Sequence, residues 1–353
     1  MKTVRVELGA RSYDIVIGSG IIGKTELSGS KRTLLVTDSN VEKLHATEIQ
    51  SATGAEKIFS FTAGESSKKP ETALDICRFA AQLGFDRKCR FAAAGGGVTG
   101  DLTGFAAAIY MRGIEFIQIP TTLLAAVDSS VGGKTGADIP EGKNLVGSFH
   151  QPSKVIIDTS FLKTLPAEEL GNGLAEIVKT AVILDAELFR SLENAPCSLL
   201  EKPDFNIRYP EIIGRCCELK GRIVAEDEKE SGRRAILNYG HTFGHAVELL
   251  SNYTLPHGRA VAIGMAAAGE LAVMRGVWKK EDAQRQKNLL CALGLPVSLP
   301  AGYDTAALIA AMRRDKKNSN GEIKVVLCSG IGEAMLPVGV GESELFRAWE
   351  MIK

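Results

Sequence analysis

The chain is 353 residues long, balances 42 Lys and Arg against 42 Asp and Glu, and is 45% hydrophobic and 24% charged. At about 100–200 residues per domain, this length predicts two domains, and the composition is that of a folded globular protein rather than a disordered chain. A formal net charge of zero and 6% aromatic residues argue against a nucleic-acid partner, which needs a basic surface and stacking platforms.

Val4–Leu8 and Tyr13–Ile17 read as strands around a turn. Thr33–Thr37, Lys57–Phe61 and Arg90–Ala94 are short β-rich runs. Between the last two, Glu71–Leu83 places Ala73, Ile76, Phe79, Ala80 and Leu83 on one helical face. Strand, helix, strand with short connections predicts a parallel sheet. Ile114–Ile119 and Lys154–Ile157 add two further strands. Beyond Thr159 the texture changes: 167–184, 209–225, 244–251, 261–275 and 280–293 all carry helical patterns, and the next strand signal is Ile323–Leu327. The boundary therefore falls near residue 160, with an α/β nucleotide-type domain over 1–160 and a mostly helical domain over 161–353.

Seven cysteines, at 77, 89, 197, 216, 217, 291 and 328, are scattered and form no CxxC pair. Neither a disulfide framework nor a thiolate zinc site is expected, and a reducing cytoplasm fits best. The N-terminus lacks the apolar core of a signal peptide. The apolar-leaning stretch Ile114–Val131 is broken by Glu115, Gln118, Pro120 and Asp128, so no membrane span is predicted.

Three features carry chemistry. Gly95-Gly-Gly-Val-Thr-Gly100 follows the strand 90–94 and precedes a helical run at 101–109, satisfying GxGxxG. Absent side chains there let the backbone approach a pyrophosphate held against helix-end N–H groups. The acidic ribose reader expected about 20 residues downstream is missing, although Asp38 ends an earlier strand. The run is thus either a dinucleotide site wired differently from the common order or a tight turn.

Three of five histidines fall at 241, 245 and 257. His241 and His245 would share a helical face, and Arg234, Asn238, His241, His245 and Glu248 continue the spacing as a polar stripe suited to a cleft. HExxH is not met, since Thr242 stands where the general-base glutamate would be. Two imidazoles and a distant carboxylate would make an open zinc site; helix-capping or core histidines are the alternative. Glu176 lies in an apolar helical stretch, where an unpaired carboxylate is costly. Either a surface bridge to Lys179 or a metal would offset that cost.

Together these stretches resemble the 3-dehydroquinate synthase family of sugar-phosphate cyclases. The likeness runs through TDSNV (37–41), GESSK (64–68), GGGVTGDLTGFAA (95–107), IPTTLLAAVDSSVGGKTG (119–136), GKNLVGSFHQP (142–152), FLKTLP (161–166), GLAEIVK (173–179), the segment 220–248 and PHGRAVAIGM (256–265). It implies a dehydroquinate synthase-like fold, in which an NAD-bearing α/β domain with a parallel sheet precedes a helical metal- and substrate-binding domain, with the active site between them. Asp38 and Asn40 would hold the adenosine ribose, with Glu65 and Lys68 close by. Gly96, Gly97, Val98 and Asp101 would line the pyrophosphate and nicotinamide region, and Thr121, Thr122, Lys134, Lys143 and Thr164 would complete the cofactor pocket. Zinc or cobalt would be held by Glu176, His241 and His257, which moves His245 to the substrate side.

Substrate contacts are implied for Asp128, Lys134, Asn144, Lys179, Lys220, Arg234, Asn238, His245 and one of Lys316 or Lys317. Arg112 would reach the phosphate of a neighbouring subunit's substrate in a homodimer. The implied reaction converts 3-deoxy-D-arabino-heptulosonate 7-phosphate to 3-dehydroquinate and phosphate. NAD⁺ oxidises the C5 hydroxyl, phosphate leaves by β-elimination, the ketone is reduced again, and the ring opens and recloses by an aldol step. NAD is regenerated each turnover, the metal polarises substrate oxygens, and lysine and arginine neutralise the anionic sugar acid. A sister cyclase on another sugar phosphate, an NAD- and metal-dependent polyol dehydrogenase and a nucleotide-binding regulator are the competing readings.

Overall fold

The computed structural model describes residues 1–27, 31–201, 203–313 and 322–353, which form two compact units. The first comprises Met1–Pro166 with Asp204–Ala225. Its strands are β1 (Lys2–Val6), β2 (Tyr13–Gly18), β3 (Thr33–Asp38), β4 (Lys57–Phe61), β5 (Arg90–Gly95), β6 (Glu115–Pro120), the hairpin pair β7 (Lys134–Ile139) and β8 (Gly142–Phe149), and β9 (Lys154–Asp158). All but the hairpin form one sheet in the order β1-β2-β9-β6-β5-β3-β4. β1 is antiparallel to β2, and the other neighbours are parallel, as the strand–helix–strand pattern predicts.

The middles of β3 (Leu34–Val36) and β5 (Phe91–Ala94) are continuously apolar because both of their faces are covered. Leu34, Val36 and Phe91 pack on α2 (Pro70–Gln82) and α3 (Gly97–Ile109). Their alternates Leu35, Ala92 and Ala94 meet Val41 and Ile49 of α1 (Ser39–Thr53). β3 leads through α1 to β4 on one side, while β5 leads through α3 to β6 on the other. The strand order thus reverses between β3 and β5, and the crevice beyond such carboxyl ends is where open α/β sheets take ligands.

Later helices are α4 (Ala167–Leu184), α5 (Ala186–Asn194), α6 (Cys197–Leu200), α7 (Arg208–Glu226), α8 (His241–Leu250), α9 (His257–Met274), α10 (Lys280–Ala292), α11 (Thr305–Arg313) and α12 (Glu342–Glu350). The second unit comprises Ala167–Pro203 and Glu226–Lys353. It adds two small antiparallel pairs, Ile323–Val325 with Val338–Val340 and Cys328–Gly330 with Glu333–Ala334.

The chain does not divide at a single point near 160. The first unit runs to Pro166, and nearly all of α7 returns to it. That helix packs against β1 and the turn before β7: Lys2 pairs with Glu218 at 2.9 Å, and the Cys217 thiol meets the Ala126 carbonyl at 3.4 Å. Amphipathic spacing defines the helix, but not the partner its apolar face finds. None of the described cysteines is disulfide-bonded. Among the described residues, no helix is long and apolar enough to cross a membrane.

Candidate active site

In the first unit, Gly96 caps α3 with extended backbone, and the helix starts at Gly97 and Val98. Its first-turn N–H groups lack intrahelical partners, which makes this end an anion site. Side chains crowd both glycines: an added Cβ would lie 3.2 Å from Thr122 Cγ2 at Gly96 and 3.2 Å from Ser129 Oγ at Gly97. Thr121 is buried beside them. Asp38, at the end of β3, caps α1 by accepting the N–H groups of Asn40 at 2.9 Å and Val41 at 3.2 Å. Its other oxygen accepts the Thr99 hydroxyl at 3.2 Å. The acidic residue of β3 is therefore tied to the glycine-rich helix of β5.

Beside this end lies a charged group. Lys68 pairs with Asp101 at 2.7 Å and donates to the Asn144 side-chain oxygen at 2.7 Å. Burial pushes Asp101 above the usual carboxylate range and works against the Lys68 charge. Asp101 and Glu65 nonetheless raise Lys68 overall. Lys143 reaches Glu65 at 3.1 Å. Asn144, expected on the substrate side, thus joins the residues expected around the cofactor. Its backbone is left-handed at φ 53°, held by its N–H donating to Asp138 at 2.7 Å. Thr164 closes the turn after β9 and meets His45 Nε2 at 2.8 Å.

Lys134 begins β7, and the Lys220 ammonium reaches across from α7 to Asp128. It donates to the Asp128 carbonyl at 2.6 Å and pairs with its carboxylate. Arg112 is exposed on the turn after α3, at φ 66°. Lys316 and Lys317 lie outside the described residues.

In the second unit, α8 and α9 cross where side chains are absent. A Cβ on Gly264 would lie 2.0 Å from the Gly240 carbonyl oxygen, and Gly240 itself has φ +76°. The close approach sets His241, first in α8, beside His257, first in α9, with ring centroids 5.3 Å apart. Glu176 of α4 completes the group: its Oε1 is 3.6 Å from His241 Nε2 and 3.4 Å from His257 Nε2.

Glu176 is 1% exposed, and neither of its oxygens accepts a hydrogen bond. The sequence left a surface bridge to Lys179 open; the pair forms, but both partners are buried. One ammonium does not satisfy a carboxylate out of water, where desolvation costs several kcal/mol per ion. The three ligand atoms lie within 4.8 Å of one another. One carboxylate and two imidazoles, with positions left open, is a donor set that fits a zinc-like divalent cation. Burial works to depress His257, but the adjacent Glu176 and Glu248 carboxylates outweigh it and raise the imidazole to about 10. A cation on Nε2 would take the place of that proton.

His245 follows one turn along α8, its ring 5.5 Å from that of His241 and 6.5 Å from that of His257. It stands outside the three-ligand group. Arg234 and Asn238 do not continue its helix, as the polar stripe suggested. They occupy a separate 3₁₀ segment, Arg233–Asn238, and the left-handed Gly240 breaks the path. Asn238 donates to Glu230 at 2.6 Å, and the buried Arg234 donates to the Glu228 carbonyl. Two partners went unread in the sequence. Glu248, seen only as a stripe member, faces His257 Nδ1 at 3.3 Å, and the Tyr239 carbonyl faces His241 Nδ1 at 3.2 Å.

Residues 58–172 match the family model described as 3-dehydroquinate synthase N-terminal, and residues 173–318 match 3-dehydroquinate synthase C-terminal. A 3-dehydroquinate synthase of Synechococcus sp. is 43% identical over 348 residues, covering 94% of each chain. Among solved structures, 2-deoxy-scyllo-inosose synthase complexed with carbaglucose-6-phosphate, NAD⁺ and Co²⁺ superposes with a TM-score of 0.91 at 27% identity, covering 100% of both chains. The 2-epi-5-epi-valiolone synthase of Streptomyces hygroscopicus, with NAD⁺ and Zn²⁺ bound, has a TM-score of 0.90 at 31% identity, covering 100% of this chain and 99% of that one. With both halves matched by the same family and nearly its whole length shared with that relative, this chain belongs to the 3-dehydroquinate synthase family.

Proposed function

We propose that this chain catalyses the conversion of 3-deoxy-D-arabino-heptulosonate 7-phosphate to 3-dehydroquinate and phosphate, as an NAD- and metal-dependent, phosphate-eliminating enzyme. The observation that carries the reading is Glu176: a buried carboxylate without a hydrogen bond, turned toward two imidazole Nε2 atoms in a chain 43% identical to a 3-dehydroquinate synthase. When bound, NAD supplies and takes back the hydride, and a divalent cation polarises the substrate oxygens.

The remaining roles belong to this chain's side chains. Glu176, His241 and His257 hold the cation. The free N–H groups at Gly97 and Val98 receive the pyrophosphate, with Gly96, Thr121, Thr122 and Thr164 around it. Asp38 and Asn40 meet the ribose, supported by the Lys68–Asp101 and Lys143–Glu65 pairs. Lys134, Lys179, Lys220 and Arg234 neutralise the carboxylate and phosphate of the sugar acid, Asp128 and Asn238 orient its hydroxyls, and Asn144 holds Lys68. His245, outside the ligand group, meets the substrate beside the cation. A homodimer in the cytoplasm, with zinc or cobalt as the ion, belongs to the same proposal. The exposed Arg112 would serve the partner's substrate, and the scattered cysteines suit a reducing compartment.

The test of substrate class uses protein loaded with NAD⁺ and zinc. It is given the heptulosonate 7-phosphate and, separately, sedoheptulose 7-phosphate and glucose 6-phosphate, which lack the carboxylate. Phosphate release from the heptulosonate alone supports the proposal. Preferential release from either of the others contradicts it and marks a sister cyclase.

A further inference from the structure

We infer that Glu248 is a positioning residue for the metal centre: its carboxylate fixes the ring and tautomer of His257 and strengthens that imidazole as a ligand. The inference rests on the metal set proposed above and extends it by one residue. His257 presents Nε2 to Glu176 Oε1 at 3.4 Å and Nδ1 to Glu248 Oε1 at 3.3 Å. Its side chain is 32% exposed, so packing alone leaves the ring room to turn. Glu248 is 5% exposed, so its carboxylate is held out of water beside that ring.

A carboxylate at Nδ1 requires the proton there and leaves the Nε2 lone pair for the cation; it also draws on that proton and makes Nε2 more basic. The two imidazoles are not equivalent in this respect. His241 Nδ1 faces the neutral Tyr239 carbonyl, at 3.2 Å. The stronger acceptor stands behind the more exposed ring. Seven positions separate His241 and Glu248, so the two lie two turns apart on one face of α8. One helix thereby supplies a ligand and also the group that orients the ligand at the head of α9.

The experiment measures the zinc dissociation constant of the full chain by competition with a chromogenic chelator, for wild type, Glu248→Gln, Glu248→Leu and His257→Ala. Thermal melts of the metal-free proteins are recorded alongside. Loss of an outer partner of this kind weakens metal binding about 10–100-fold. Glu248→Leu is expected to fall in that range, while Glu248→Gln, which still accepts from Nδ1, recovers most of the affinity. A purely structural Glu248 would lower the melting temperature of both variants and leave zinc affinity within about twofold of wild type, and that result overturns the inference. Should His257→Ala also bind zinc as wild type does, the ligand assignment falls with it. A weakened His257→Ala beside an unaffected Glu248→Leu overturns the role of Glu248 alone.

Discussion

The backbone N–H of Gly258 donates to the Asn172 side-chain oxygen at 3.1 Å, and a Cβ on Gly258 would lie 2.4 Å from the Asn172 Cα. Helices α4 and α9 therefore touch backbone to backbone one turn before Glu176, which brings that carboxylate opposite His257. Gly258→Ala must push the helices apart. Overpacking of this kind costs about 1–3 kcal/mol, and the ligand distances should lengthen with it. A lower melting temperature together with weaker zinc retention against a chelator is expected; unchanged values for both would contradict the close contact.

The two lysines near the start of α3 should behave differently. Lys68 and Asp101 are 7% and 18% exposed, whereas Lys143 and Glu65 are 31% and 45% exposed. Removing one partner of a buried pair strands the other and costs about 3–5 kcal/mol, and the partial exposure of Asp101 favours the lower end. An exposed pair contributes about 0–1 kcal/mol. Urea unfolding should show a large loss for Lys68→Met and almost none for Lys143→Met, while titration shows weaker NAD binding in both.

Lys220 offers a separate readout. Hydrogen bonds to charged groups contribute about 1.5–3 kcal/mol, so Lys220→Met should lower kcat/KM for the sugar phosphate about 10- to 150-fold. NAD affinity and zinc content should stay at wild-type values. A variant with unaltered kcat/KM would remove Lys220 from the substrate set.

Asp227 closes the turn that precedes Arg234. It accepts the N–H groups of Ser231 at 2.9 Å, Gly232 at 2.7 Å and Arg234 at 3.0 Å. Slight burial works to raise its pKa, but these donors outweigh it and lower the carboxyl from 3.8 to about 2. A depressed carboxylate stabilises the fold above its ordinary value, and the contribution is lost as pH falls through the folded one. Wild-type unfolding free energy should therefore drop more steeply between about pH 4 and pH 2 than that of Asp227→Asn. Parallel curves would exclude this linkage.

Much of the nucleotide side was legible in the sequence. β3 and β5 have short apolar middles whose order predicts the parallel sheet, and the glycine-rich run predicts a helix from 101, which the structure starts at Gly97. The hairpin Lys134–Phe149 escaped because β8 exposes most of its residues and so lacks the apolar alternation that marks a half-buried strand. Spacing brought His241 and His245 together but could not choose between them as ligands. That choice depends on the approach of α9 at Gly264 and of α4 at Gly258, a tertiary event with no local signature. Glu176 and His257 were each marked by the sequence, the family resemblance grouped them with His241, and the three ligand atoms do lie within 4.8 Å of one another. Helix α7 was found by its period, while its return to the first unit depends on contacts with Lys2 and Ala126 far away in the chain.

The most direct test of the proposed reaction follows inorganic phosphate and NADH in one cuvette, with purified protein, zinc, a known amount of NAD⁺ and excess heptulosonate 7-phosphate. An internal redox cycle predicts many equivalents of phosphate and 3-dehydroquinate per NAD, with no build-up of NADH. NADH accumulating without phosphate would contradict the cyclase reaction and make the protein a dehydrogenase.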